Sequence, residues 1–184
     1  MKQWRIRAFP IDRRIARAIA RHSSRRLEKP LKALTWLADE KLLLLLCCAY
    51  WLGSRSSPPS RQRDADHLLL TIGAAGMVSH VLKRIVAQER PDRVEIHGRR
   101  HGIPRSGKAF DAFPSGHAVH MSALAAALSR IVPQHRALIW GASMLIALTR
   151  VALLAHWASD VIVGGALGIG IEQGLNTLDG DGGN

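Results

Sequence analysis

The sequence predicts an all-α fold: a multi-pass transmembrane helical bundle preceded by a basic N-terminal amphipathic helix. Three observations carry that prediction. Five apolar segments succeed one another between residues 31 and 175. Stretches such as Leu42–Leu52 and Ala137–Leu148 are apolar on every helical face, whereas a soluble bundle would show polar stripes. Charge is also segregated. Of the net +12, residues 1–32 carry eleven Lys/Arg against Asp12 and Glu28, residues 83–112 carry eight basic against four acidic side chains, and the remainder sums to −1. A mean hydropathy of +0.02 averages this division away. The 184 residues suit one domain with a sizeable core, and 47% hydrophobic content excludes a disordered chain.

From the N-terminus, residues 1–30 form a basic amphipathic segment with no apolar run long enough for a signal peptide. Ile11, Ile15 and Ile19 recur at helical spacing, with Arg13, Arg14, Arg17 and Arg21 on the other faces. Such a helix lies on an anionic membrane surface or packs its isoleucines on the protein's own body. Residues 31–178 form the helical membrane domain, and 179–184 a flexible tail. The first apolar segment, 31–53, has its core at Leu42–Leu52 behind Asp39, Glu40 and Lys41. The second runs from His67 to Ala87, the third from Ala118 to about Val132, the fourth from Ala137 to Ala155 and the fifth from Ala158 to about Leu175. About twenty apolar residues span the hydrocarbon as helix. The second and fourth segments meet that length; the others depend on their neighbours. Gly164 and Gly168, like Gly170 and Gly174, have the GxxxG spacing that lets helices approach closely. Cys47 and Cys48 are adjacent inside a leucine run and read as small apolar side chains.

Ionisable residues in or beside membrane helices are expensive and call for a reason. Lys83 and Arg90 are seven apart, which places both on one helical face if the helix continues to Pro91. Phe113-Pro114-Ser115-Gly116-His117 opens the third segment with helix-starting residues, whose free N–H groups favour an anion. His156 and Asp160 are four apart, so a carboxylate can hold one imidazole nitrogen and present the other. Arg150 lies six residues before His156. If segments two to four all span, these ends share one membrane face. Three cations, a helix N-terminus and two histidines then converge with no acidic metal cage, an arrangement suited to a phosphate-like dianion. Arg84, Arg99, Arg100, Arg130 and Arg136 read instead as snorkelling or topology-setting charges.

Lys83-x6-Arg90-Pro91, then Pro114-Ser115-Gly116-His117, then Thr149-Arg150-x5-His156-x3-Asp160 resembles the three-part signature of the type 2 phosphatidic acid phosphatase family. That superfamily includes bacterial acid phosphatases and vanadium haloperoxidases. The third part usually begins Ser-Arg; Thr149 keeps a hydroxyl there. The resemblance implies a lipid phosphatase needing no metal and no cofactor. It implies that His156 attacks phosphorus and forms a phosphohistidine, that Asp160 orients its imidazole, and that His117 protonates the leaving oxygen and later activates water. It further implies that Lys83, Arg90, Arg150, Ser115 and Gly116 hold the phosphate oxygens.

Other readings fit less well. Gly102 to Ala109 nearly spells a nucleotide-binding loop, but Ala109 lacks the hydroxyl for magnesium and no buried strand precedes it. Arg105 and Lys108 there would draw an anionic head group to the site mouth. His97 with His101, and His117 with His120, have no Glu-centred motif that would make them zinc ligands. His80 reads as a packed helix histidine. Nucleic acid is suggested by net charge alone, with no aromatic platform or groove-reading helix. The expected partners are a lipid phosphate (polyprenyl diphosphate, phosphatidylglycerol phosphate or phosphatidate) and the membrane lipids. Alternatives are a vanadate-dependent haloperoxidase and a non-catalytic anion-binding adaptor. The basic N-terminus belongs in the cytoplasm by its charge. The face that carries the site then depends on whether segment one spans.

Overall fold

The computed structural model describes residues 3–22, 25–95 and 107–181. The readings placed on His97, Arg99, Arg100, His101, Arg105 and the last three residues of the tail lie outside them. Among the described residues, eight α-helices and two short strands follow in order. They are β1 (Trp4–Ile6), α1 (Pro10–His22), α2 (Arg25–Trp36), α3 (Glu40–Gly53), α4 (Pro59–Ile85), β2 (Val86–Gln88), α5 (Pro91–Val94), α6 (Gly116–Ile131), α7 (Arg136–Ala152) and α8 (Ala158–Asp181). The fold is all-α apart from β1 and β2, which pair in parallel with Trp4 opposite Val86.

Helix α6 is the axis of the bundle. Its Ala118, Val119, Ala123, Ala125 and Ala127 are buried, with α4 on one side and α8 on the other. The contact with α8 depends on two glycines. A Cβ at Gly164 would come within 2.8 Å of the Ser115 carbonyl oxygen, and one at Gly168 would collide with Ser122 Oγ and the Val119 carbonyl. The Gly164-x3-Gly168 spacing is therefore a close helix crossing. Gly170 and Gly174 have nothing within 4 Å and play no such part. Large apolar side chains such as Leu45, Leu46, Leu70, Met77, Leu145 and Ile162 face outward, forming the belt that a lipid environment would cover.

Two helices among the described residues are long and apolar enough to cross a membrane, α4 and the Ala158–Leu178 part of α8. This revises the segment lengths read from sequence. The first segment is broken at residues 37–39, where Asp39 turns outward and caps α3 by accepting from the N–H groups of Lys41 and Leu42. At 14 residues, α3 is about 21 Å long. The fourth segment stops at Ala152 after 17 helical residues because the chain turns at Leu154, whose φ is 51°. The fifth is longer than its apolar run and reaches Asp181, past the start of the expected tail.

The α3–α4 connection is tied by Asp66, which accepts from Trp51 Nε1 at 2.6 Å and from Arg55 Nη2 at 2.8 Å. At the same end of the bundle, Arg130 of α6 donates to Glu172 of α8 at 2.8 Å, with His67 of α4 3.3 Å from the same oxygen. Arg130 is thus an ion-pair partner of a buried carboxylate rather than a free topology charge. His80 is exposed and meets Glu40 at 3.0 Å, instead of packing within the bundle.

Candidate active site

The opposite end of the bundle gathers the C-termini of α4 and α7 and the N-termini of α6 and α8. Three connections cover it: residues 86–92, 107–112 and 153–157. These connections are knitted by backbone bonds. Gln88 N–H donates to the Phe110 carbonyl, Arg90 N–H to that of Ala109, Ala112 N–H to that of Gln88, and Asp92 N–H to that of Leu154. Trp157 Nε1 adds a bond to the Glu89 carbonyl at 2.7 Å.

His156 stands in the 153–157 connection, 2% exposed. The Arg150 carbonyl at the end of α7 accepts from the N–H groups of both Ala155 and His156, which folds the chain back sharply beneath the ring. Nδ1 lies 2.6 Å from the Ala112 carbonyl oxygen. A carbonyl only accepts, so Nδ1 carries the proton and Nε2 keeps a lone pair. Burial, reinforced by the positive fields of Arg90, Arg150 and Lys83, holds this imidazole well below its ordinary value of 6.5. The ring is therefore neutral at pH 7.

Asp160 does not hold His156 as the sequence spacing suggested. The helix begins only at Ala158, so the two residues share no helical face. Asp160 Oδ2 accepts from Trp157 N–H at 2.9 Å and is 3.8 Å from His156 Nδ1, beyond hydrogen-bonding distance. The carboxylate caps α8 and faces the imidazole without bonding it.

Arg90 also departs from the single-helix expectation. Helix α4 ends at Ile85 and the chain continues as β2, so Arg90 reaches the site from an extended segment and Pro91 starts α5. It is buried, donating from Nε to Asp111 at 2.7 Å and from Nη1 to the Ala155 carbonyl at 3.0 Å. Lys83, in the last turn of α4, lies within electrostatic reach of Arg90, Arg150 and Asp111. A Cβ at Gly116 would be 3.7 Å from Lys83 Nζ, which puts the ammonium at the start of α6. Arg150 donates from Nη1 to Thr35 of α2 at 3.3 Å. His117, one residue into α6, feels Arg150, Lys83 and Arg90. His120, behind it, donates from Nδ1 to the Gly116 carbonyl at 2.7 Å and is a packed residue.

The eight residues singled out from sequence are thus brought to one end of the bundle. Ser115 is the residue before α6 and is fully buried, yet its side chain does not cap the helix. Ser115 Oγ, Arg150 Nε and Asp160 Oδ1 are buried atoms without a hydrogen-bond partner among the described residues. The two donors, Ser115 Oγ and Arg150 Nε, are what a bound oxyanion would satisfy; the Asp160 oxygen can only accept.

Sequence reasoning missed three contributors. Ala112 acts only through its carbonyl, which leaves no trace in side-chain identity. Asp111 accepts from Arg90 and belongs to none of the three motif parts. Gly107 has φ +45°, and a Cβ there would lie 2.8 Å from Arg90 Nη2. The near match to a nucleotide-binding loop drew notice to this glycine for the wrong reason.

Comparison with known proteins agrees with this layout. Two lipid A 1-phosphatases, from Rhizobium johnstonii and Rhizobium etli, are each 36% identical over 103 residues, 55% of this chain. The chain spans less than half the length of these relatives, 42% and 44% respectively. The decaprenylphosphoryl-5-phosphoribose phosphatase of Mycobacterium tuberculosis is 30% identical over 126 residues, covering 66% of this chain and 65% of that protein. The fold matches that of Aquifex aeolicus LpxE with a TM-score of 0.73 at 21% identity, over 89% of this chain and 93% of that one. It also matches a transmembrane PAP2 type phosphatidylglycerolphosphate phosphatase from Bacillus subtilis with a TM-score of 0.70 at 21% identity, over 93% and 85%. The PAP2 superfamily model matches residues 65–178, a stretch that contains all eight residues. By that match the chain belongs to the PAP2 superfamily.

Proposed function

We propose that this chain is an integral-membrane phosphatase that hydrolyses a lipid phosphate or diphosphate through a phosphohistidine. The observation that carries the reading is the state of His156: buried, neutral, its Nδ1 proton held by Ala112, its Nε2 free, in the field of three cations. Such a ring is a nucleophile without needing a base. Its attack on phosphorus transfers the phosphoryl group to Nε2, and the imidazolium so formed faces the Asp160 carboxylate. His117, from a different helix end, takes up a proton as the phosphate anion binds and offsets the cations around it; it gives that proton to the departing lipid oxygen and then takes one from the attacking water. Lys83, Arg90, Arg150, Ser115 Oγ and the Gly116 backbone hold the equatorial oxygens through both steps.

The cationic surroundings repel a metal ion and attract a dianion, so the reaction is proposed to need no metal. Residues 1–30 form the membrane-surface segment and 31–178 the phosphatase domain. Within the first of these, the exposed Trp4, Phe9 and Ile11, with Arg14, face the lipid surface. Helix α1 sits at the catalytic end of the bundle, so its eleven-cation neighbourhood and the site occupy one membrane face, the cytoplasmic face by the charge rule.

Phosphate release by the purified protein from phosphatidate, phosphatidylglycerol phosphate and a polyprenyl diphosphate, with and without EDTA, tests the proposal. Release that resists EDTA, is blocked by vanadate and vanishes in His156→Ala is expected. No release from any of them, or full turnover by His156→Ala, overturns it. EDTA-sensitive release overturns the metal-independent step.

A further inference from the structure

Asp12 is a buried acid in an otherwise basic N-terminal helix, outside the stretch that the superfamily model covers. It is 2% exposed, and a carboxylate is not buried so fully without compensation. The compensation comes from 147 residues away in the chain. Oδ1 accepts from Ser159 N–H at 2.9 Å and Oδ2 from Ser159 Oγ at 2.7 Å, while Phe9 N–H donates to Oδ2 at 3.2 Å. Ser159 is the second residue of α8, where backbone N–H groups have no partner within the helix. Asp12 is therefore a helix cap supplied from another helix.

The residues flanking Ser159 give this cap its meaning. Asp160 follows directly, and His156 precedes it by three positions. One turn beyond Asp12, Ala16 is buried in a cluster with Ala112, Leu154 and Trp157. Helix α1 thus touches the residue whose carbonyl holds His156 and the connection that carries His156. The same N-terminal stretch is tied elsewhere along the rim. Arg17 pairs with Glu95 at 2.9 Å, and Gln3 donates to the Lys83 carbonyl at 3.3 Å.

We infer that Asp12 is a positioning residue: by capping α8 through Ser159 it fixes the 153–160 segment, and with it the distance from His156 Nε2 to the bound phosphate. It touches no reacting atom and acts through Ser159. Its division of labour with Asp160 is chemical. Asp12 satisfies the second residue of α8, which leaves Asp160 Oδ2 to accept from Trp157 N–H while standing 3.8 Å from His156 Nδ1. The inference rests on the proposed role of His156, so its test has one arm that does not.

The full chain in detergent is compared with Asp12→Ala, Asp12→Asn, Ser159→Ala and Arg17→Ala, using whichever of the three lipid phosphates named above wild type turns over fastest. Asp12→Ala should lower kcat at least tenfold with KM within twofold of wild type. Asp12→Asn, whose amide oxygen still accepts from Ser159 N–H, should recover most of that loss. Asp12→Ala combined with Ser159→Ala should lose little more than Asp12→Ala alone. Arg17→Ala, which cuts only the rim pair, should keep wild-type kcat. Hydrogen exchange of peptides covering 153–161 should accelerate in Asp12→Ala and not in Arg17→Ala. A wild-type kcat in Asp12→Ala, or additive losses in the double variant, overturns the inference. Wild type without any phosphatase activity overturns the proposed function instead, and the exchange arm then decides: unchanged protection over 153–161 sinks the positioning role. Should Asp12→Ala not fold, Ser159→Pro, which removes both donors to Asp12 at a first-turn position that tolerates proline, carries both arms with the same outcomes.

Discussion

The Nδ1–H of His156 donates to the carbonyl of Ala112 at 2.6 Å, and the nearest carboxylate oxygen, on Asp160, stands 3.8 Å from the same nitrogen. The tautomer of the proposed nucleophile is therefore set by the main chain. Where a side-chain carboxylate alone sets it, as in the serine-protease triad, replacing Asp by Asn costs about 10⁴ in kcat. Here Asp160→Asn should cost about ten- to a hundredfold, through weaker stabilisation of the imidazolium. His156→Ala should show no turnover. Single-turnover kinetics on the two variants measure this, and equal losses would return the orienting role to Asp160.

The same ring predicts a pH profile. Its affinity for a proton lies well below the ordinary value of 6.5, first because it is buried and then because Arg90, Arg150 and Lys83 surround it. Protonation removes the nucleophile, so the His156 limb of kcat/KM, which reports the free enzyme, should fall well under pH 6.5. The sign for stability follows from linkage. Below 6.5 and above the folded value, the unfolded chain binds the extra proton and the folded chain does not, so stability declines as pH falls through that window. Thermal unfolding between pH 7.5 and 5 should show a falling midpoint.

Gly107 should not accept a side chain. Its φ is +45°, and a Cβ would stand 2.8 Å from Arg90 Nη2. Gly107→Ala should displace the guanidinium from its bond to Asp111 and raise KM about tenfold, or ~1.4 kcal/mol, with a smaller change in kcat. Vanadate inhibition should weaken in parallel. Unchanged KM and unchanged vanadate affinity would show that Arg90 does not contact phosphate.

The far end of the bundle should affect stability and not chemistry. Glu172 is buried and depends on Arg130 at 2.8 Å and His67 at 3.3 Å. Arg130→Ala leaves that carboxylate short of a donor, at a cost of about 1–3 kcal/mol. The unfolding midpoint should drop by several degrees while kcat and KM stay at wild-type values.

Much of the site was legible because its residues are costly where they stand. Lys83, Arg150, His117 and Asp160 interrupt apolar segments, and only function or pairing explains such interruptions. Ser115 and Gly116 were readable as a helix start, which they are. The spacing arguments were weaker guides. The spacings of seven from Lys83 to Arg90 and of four from His156 to Asp160 matched helical periodicity, yet each pair straddles a helix end. Periodicity says which residues would share a face if the helix continued; the stops, at Ile85 and before Ala158, came from tertiary bonds of the covering connections. The Gly164–Gly168 crossing was legible and the Gly170–Gly174 one was not real, because the same spacing needs a partner helix to have meaning. Ala112 and Asp12 were invisible for opposite reasons. One acts through its backbone, and the other looked like a stray acid among arginines. The amphipathic helix divides between the two readings open to it: Ile19 packs toward Trp157, and Ile11 faces outward.

The strand pair has a consequence for depth. The described part of β1 is exposed, and the open edge of such a ladder needs solvent for its backbone groups. In the proposed membrane setting, extended chain of this kind would mark the level where hydrocarbon gives way to head groups and water. Lys83 immediately precedes that level, three residues before β2 begins, and Arg90 follows two residues after it ends. In the proposed reaction the phosphorus is thus cleaved at the boundary itself. Its two fragments belong to different phases: the freed phosphate dissolves outward, and the lipid alcohol sinks back among the tails. Their partition, rather than any moving part, then keeps the products from meeting again.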